Sequence, residues 1–454
     1  MAVDLVIRGG NVFSPHGFFE GDLVVDSGKI VSLTKKRNIK AERVVDASGK
    51  FILPGMVDMH VHFRDPGFTD REDFETGTTA AACGGVTTVA DMPNTVPSVI
   101  SVEVVNEKNR IVGKKAVVDY AFMGGAGEVE RDALLAMAEA GIVGYKTFMT
   151  ARFKELAASD GQMIENFKTI SETGLPCLIH AENQDIVARG MEEAQRMGRV
   201  DPLAHCEFRP PIAEIEATMR TVMLAGVTEV DLHICHMSAE GTVDVLRWAK
   251  EDGRSVTGET SPNYLLLNED TMKTLGPYAK IDPPLRRPND QKALWKALNE
   301  GALDVLASDH APYPKEEKEK GWSNIFDAPS GGIGVETGLS LMLDCVNNDM
   351  IGLGRLVEVF SINPAKLLRL YPRKGALLPG SDADIVIVDM KKEHVIKGEL
   401  LHSKEKTTAY EGRKVRGVPV TTIVRGKLIV DDGIVTGSPG YGVFQRARTP
   451  ESSS

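Results

Sequence analysis

Asp58-Met-His-Val-His-Phe-Arg64 ends an apolar run with two histidines one residue apart and an arginine two positions further on. In an extended strand successive side chains alternate between faces, so His60 and His62 point the same way and can grip one metal ion. Neutral imidazole suits zinc and other first-row divalent metals. A His-x-His pair alone is weak evidence and reads more readily as a solvated strand end. The segments downstream give it weight.

Four of them repeat one pattern, a β-like run ending in a metal-capable group: Ile142-Val-Gly-Tyr-Lys146, Pro176-Cys-Leu-Ile-His180, Val230-Asp-Leu-His-Ile-Cys-His236 and Asp304-Val-Leu-Ala-Ser-Asp309-His310. A (β/α)8 barrel assembles its active site from the C-terminal ends of several strands. Further β-like runs at 86–92, 116–122 and 254–259 bring the count to eight. Helical stretches such as 213–225 and 243–250 lie between strands and carry roughly 3.6-residue apolar spacing. The alternation predicts an α/β fold, a (β/α)8 TIM barrel.

The two ends have another texture. Short β-like runs (Leu5-Val-Ile, Asp22-Leu-Val-Val, Lys29-Ile-Val-Ser-Leu, Arg43-Val-Val) alternate with Gly and Asp turns, and similar runs return at 383–389 and 421–430. The expectation is one small β-sandwich domain from residues 1–54 and 375–445, with the metal-dependent barrel spanning 55–374. The chain would enter the barrel near Pro54-Gly55 and leave it near Lys374-Gly375. Gly84-Gly85 is read as a helix-to-strand turn, and Pro450-Glu-Ser-Ser-Ser454 as a disordered tail.

The 454 residues exceed one ordinary barrel, and 42% hydrophobic content leaves ample core. A net charge of −11 argues against a nucleic-acid or anionic-membrane surface, because phosphate binding needs clustered Lys and Arg. The densest charge run, Lys315-Glu-Glu-Lys-Glu-Lys320, mixes signs and reads as a solvated loop or helix face. Five cysteines contain no Cys-x-x-Cys pair, which fits a reducing cytosol. The first residues lack a signal-peptide layout, and no apolar stretch approaches a bilayer span. The expectation is a soluble cytoplasmic enzyme.

The series His-x-His, Lys, His, His, Asp on successive strand ends resembles the amidohydrolase superfamily, in particular its cyclic-amide branch of dihydroorotases, allantoinases and hydantoinases or dihydropyrimidinases. The resemblance implies two divalent metal ions, with zinc the leading candidate. His60 and His62 would bind one, His180 and His236 the second, and Lys146 would bridge them as a carbon-dioxide-derived carbamate. An ammonium cannot ligate a cation, whereas a carbamate is a carboxylate on a long stem. Asp309 would contact the first metal and act as general base and acid on a small-molecule cyclic amide. His233 and His310 are expected to be structural supports, and His205 to lie in a loop. A homo-oligomer is implied by the resemblance as well.

Within the branch, His-x-His-x-Arg followed by Met92-Pro-Asn94 looks like dihydroorotase of the class I type, in which Arg64 and Asn94 would hold the dihydroorotate carboxylate. Pro283-Pro-Leu-Arg286 and Asp309-His-Ala-Pro312 point the same way. The pattern departs at Tyr313, where that family usually has His, and at Asp282, where it usually has Asn; both remain candidate substrate contacts. Asn263, in Ser261-Pro-Asn263, is another, with a plain turn residue as its alternative. Tyr145-Lys-Thr-Phe-Met149 and His180-Ala-Glu-Asn183 resemble the hydantoinase and allantoinase side. The expected activity is dihydroorotase, with an allantoinase or hydantoinase as the alternative. Segments 150–160 and 314–332 are expected to cover the site.

Overall fold

The computed structural model describes residues 2–35 and 39–447; the tail expected at 450–454 lies outside them. Eight strands pair in parallel and in chain order: β1 (Met56–Val61), β2 (Val86–Asp91), β3 (Asp119–Gly125), β4 (Gly144–Phe148), β5 (Cys177–His180), β6 (Leu232–Ile234), β7 (Val256–Thr260) and β8 (Val305–Leu306). Every residue of β1 to β6 is buried. Helices cover the outside of a parallel sheet, so both faces lose water and the strands read as near-continuous apolar runs.

Alternate side chains divide between two layers. Val57, Met59, Ala90, Met92, Ala121, Met123 and Leu178 form an inner cluster that Ala365, Leu368 and Leu370 close off. Their neighbours Met56, Val89, Tyr120, Phe122, Tyr145 and Ile179 belong to the outer core shared with the helices. The seam between β8 and β1 has no full ladder. It is spanned by the His62 amide donating to His310 O (2.8 Å) and the Ser308 amide donating to the buried Asp58 carboxylate (3.2 Å). At Gly85, φ is +80° and a Cβ would lie 2.8 Å from Leu339 and Val386, so the turn from helix Phe74–Cys83 into β2 requires glycine.

The chain ends build a second sheet of nine strands. Val3–Ser14, Gly17–Asp26, Lys29–Thr34, Ala41–Asp46 and Phe51–Pro54 come from one end; Ile385–Val395, Lys414–Val424, Lys427–Asp431 and Ile434–Val435 come from the other. Phe51–Pro54 pairs antiparallel with Ile385–Val395, joining the two ends. The sheet has its own core, in which Leu5, Ile7, Leu23 and Ile52 meet Ile385 and Ile423. Between sheet and barrel sits the fully buried Lys374, whose ammonium reaches Asp119 at the start of β3, Asp384 (2.6 Å) and Asp382 (3.0 Å). No helix among the described residues is long and apolar enough to cross a membrane.

Candidate active site

The side chains expected at the rim meet in one cavity at the C-terminal ends of the strands. It is lined by His60, His62, Arg64, Asn94, Lys146, His180, His236, Asp282, Asp309 and Tyr313, with Phe148, Phe153, Ser330 and Gly331. Asp309 Oδ1 lies 3.2 Å from His62 Nε2 and 3.5 Å from His60 Nε2. Across the cavity His180 Nδ1 faces His236 Nε2 at 3.0 Å. Thus two imidazole pairs converge, one of them on a carboxylate.

The backbone contributes to this convergence in a way strand alternation does not supply. β1 ends at Val61, and its register against β2 shifts between Asp58 and Val61. Arg64, His236 and Asp309 all follow their strands with positive φ, at 61°, 36° and 49°. Non-glycine residues adopt that region at a cost of order 1–3 kcal/mol, and such residues cluster at functional sites. Lys146 is the third of five residues in β4 rather than its last, and its long stem carries Nζ to the rim.

Buried carboxylates fix the imidazoles. Glu259, at the end of β7, bonds His60 Nδ1 and His233 Nε2 and accepts from the His236 amide. Holding Nδ1 leaves Nε2 of His60 directed at Asp309, the orientation a ligating histidine needs. Burial opposes a charge on His60, but Glu259 outweighs it and lifts the pKa to about 10, so an ion taking Nε2 would have to displace a proton there. Glu182 holds His180 through Nε2 (2.8 Å) and is itself bound by Arg209. Asn94 Oδ1 takes His62 Nδ1 at 2.7 Å. Burial pushes His62 down to about 3 and His236 well below the usual range, so both are neutral and suited to a cation. Burial works against ionising Asp309, yet His60 and His62 hold it below the usual carboxylate range.

Lys146 is fully buried, with its Nζ 2.9 Å from Cys235 Sγ. Among the described residues no carboxylate stands within ion-pair distance of it. A buried ammonium without a counter-ion is costly. Conversion to a carbamate would turn that liability into a ligand between the two imidazole pairs, so the residues present fit a dinuclear metal centre.

Several expectations are corrected. Asn263 does not line the cavity; it lies in the short helix Pro262–Leu266, where its Oδ1 accepts from Tyr410 (2.9 Å). His205 is not in a loop but buried in helix Pro202–Glu207, 2.9 Å from Ile281 O. Arg64 reaches the cavity, but its guanidinium donates to Tyr313 Oη (3.2 Å) and lies over that ring. Asp282 lines the cavity, with its carboxylate 2.8 Å from Arg209 and 3.4 Å from His205. His233 and His310 are supports as expected: His233 backs Glu259, and His310 Nδ1 accepts from Gly334 and Val335. Glu259, Glu182 and Cys235 had been given no role from the sequence, although Glu259 ends a quoted strand and Glu182 stands in the His-Ala-Glu-Asn motif.

The model of the amidohydrolase family matches residues 51–429. The chain belongs to the amidohydrolase family. Among its relatives in that family, an L-hydantoinase of Paenarthrobacter aurescens is 35% identical, with 99% of each chain covered. An allantoinase of Salmonella newport is 34% identical over 95% of this chain and 96% of its own. The solved L-hydantoinase (dihydropyrimidinase) of Arthrobacter aurescens superposes with a TM-score of 0.96 at 35% identity, covering 98% of this chain and 100% of that one. These amidohydrolases carry hydantoinase and allantoinase names, which overturns the dihydroorotase reading. The error lies in short motifs: His-x-His-x-Arg and Met-Pro-Asn read as carboxylate holders, whereas here Asn94 Oδ1 takes His62 Nδ1 and Arg64 packs on Tyr313, positions that dedicate neither residue to a charged substrate.

Proposed function

We propose that this amidohydrolase opens an uncharged five- or six-membered cyclic amide of the hydantoin and dihydropyrimidine kind. The observation that carries the reading is the convergence of His60, His62, Lys146, His180, His236 and Asp309 on one small cavity. His60, His62 and Asp309 would hold one divalent ion, His180 and His236 the other, with carboxylated Lys146 between them. When bound, the ions polarise the ring carbonyl and make water acidic enough to attack at neutral pH.

The protein's own groups do the remaining work. Asp309, ionised in its pair of imidazoles, accepts the proton of the attacking water as the new C–O bond forms. It returns that proton to the ring nitrogen as the C–N bond breaks, so one water is consumed, the ring nitrogen becomes the NH2 of a ureido group, and the new carboxylic acid releases water's second proton to become a carboxylate. Glu259 and Glu182 keep His60 and His180 in orientation. Phe153 stacks on Phe148 at the edge of the cavity and limits water there. Arg64 donates to Tyr313 Oη and lies over that ring at the cavity wall, a role that does not depend on a substrate carboxylate. An adjoining cavity of about 620 Å³ shares Asp282 and Ser330 with the site and offers room for a ring substituent.

Homo-oligomeric assembly belongs to the same reading. Ile212, Met219 and Met223 are exposed at helical spacing on Pro211–Ala225, which supports it. Five free thiols suit the reducing cytosol.

The test is turnover of hydantoin, dihydrouracil and allantoin by zinc-loaded protein with bicarbonate present. At least one ring should open, and Asp309→Asn should lose about 10²- to 10⁴-fold in rate. Failure to open any of them, or an undiminished Asp309→Asn, counts against the proposal.

A further inference from the structure

Away from the catalytic cavity, three side chains with ligand atoms meet on the outside of the barrel. Cys83 ends the helix Phe74–Cys83, Glu336 follows β8 by thirty residues, and His402 belongs to the C-terminal segment. Cys83 Sγ lies 3.8 Å from His402 Nε2. Glu336 grips His402 twice, through Nδ1 (2.9 Å) and through the backbone amide, which donates at 2.7 Å. The ligand atoms of all three fall within 4.8 Å of one another. None of the three lines the catalytic cavity. His402 keeps 37% of its side chain exposed, so the cluster can be reached from solvent.

The geometry is that of a cation site. Zinc–sulfur and zinc–nitrogen bonds of about 2.3 and 2.0–2.1 Å at a tetrahedral angle put S and N roughly 3.6 Å apart. The observed separation is within a few tenths of that value. A carboxylate on the far ring nitrogen is the usual companion of a ligating histidine, because it fixes the tautomer and leaves the other nitrogen's lone pair for the metal. Glu336 is such a companion, and its second bond to the amide prevents the ring from turning.

The alternative, a nucleophilic thiol relayed through His402 to Glu336, is disfavoured by the surroundings. Burial and the charge of Glu336 push the Cys83 thiol well above its ordinary value, so the free thiol is a poor nucleophile, whereas a bound cation deprotonates the thiol it ligates. A divalent cation takes the place of the proton that Glu336 favours on His402, so binding there releases protons. Lys406 is the opposing charge, felt at His402, while His394 on Ile385–Val395 also senses Glu336.

We propose that Cys83 and His402, with Glu336 orienting the imidazole, bind a thiophilic divalent cation such as Zn²⁺ or Cd²⁺, distinct from the catalytic ions. Bound there, the ion ties the helix after β1 to the segment after β8 and to the C-terminal region. Water completes its coordination.

The experiment titrates Cd²⁺ into protein loaded with about two zinc ions per chain, enough for the catalytic centre and no more, and follows the ultraviolet thiolate-to-cadmium absorption. One equivalent should saturate the band. Cys83→Ser should abolish it without changing ring hydrolysis, and Glu336→Gln should weaken binding about 10- to 100-fold. His402→Gln leaves every thiol in place, including Cys235 beside Lys146, and should also remove most of the affinity. Absence of a band, or a band of undiminished affinity in Cys83→Ser or His402→Gln, overturns the proposal.

Discussion

At the scale of single residues, the side chains of the cavity are held by groups that do not line it. Glu259 bonds His60 and His233 and receives the His236 amide, so it sets the direction of one imidazole and steadies the backbone beneath another. Glu259→Gln keeps the shape but removes the charge. It should weaken metal retention about 10- to 100-fold, read as metal content after dialysis against graded chelator, with the melting profile little changed. Unchanged retention would show that His60 needs no such orientation. The residues that meet in the cavity were legible in the sequence because most of them follow an apolar run, with Lys146 in mid-strand. Glu259 was not, since a carboxylate ending a strand carries no mark of what it will face. Arg64 was misread for a related reason: its partner Tyr313 stands 249 residues away, and only the fold brings that hydroxyl to the guanidinium.

At the scale of elements, the eight barrel strands were legible in number and order, whereas their bounds were less so. β3 begins at Asp119 rather than 116, and β8 keeps only Val305–Leu306. The run 315–320 illustrates what a local pattern omits. Lys315–Glu319 is a short helix, yet Lys318 turns inward and donates to the carbonyls of Lys280 (3.1 Å), Pro329 (3.1 Å) and Gly331 (2.7 Å). Lys280 in turn holds Ile325 O and Ala328 O, so two lysines fasten the segment that supplies Ser330 and Gly331 to the cavity wall. Burial and the charge of Lys280 push Lys318 down to about 7. Below that pH the ammonium is buried charged, and its cost is fully present. Above it the folded state sheds the proton while the unfolded chain keeps it to about pH 10.4, so stability rises with pH over that window. Relative to Lys318→Met, wild type should gain up to about 4 kcal/mol between pH 7 and 10 in denaturant melts. A difference that is flat with pH would mean that Lys318 does not titrate there.

At the scale of the whole molecule, a barrel supplies the chemistry and a sheet from both chain ends closes its outer side, joined through Lys374 and its three carboxylates. This two-part plan was legible because strands buried on both faces and strands in small antiparallel sheets differ in texture. The substrate was not, because the series of rim residues is common to the whole cyclic-amide branch and the short motifs that seemed to separate its members did not do so. The central claim is that a dinuclear metal centre on these six side chains opens a cyclic amide. It is tested most directly by stripping the protein of metal and titrating zinc back with bicarbonate while hydantoin hydrolysis is followed, in wild type and in Lys146→Ala. The account predicts no turnover in the stripped protein, a rise to a plateau at about two zinc ions per chain, and none at any loading in Lys146→Ala. Full turnover without metal, or an undiminished rate in Lys146→Ala, would contradict it.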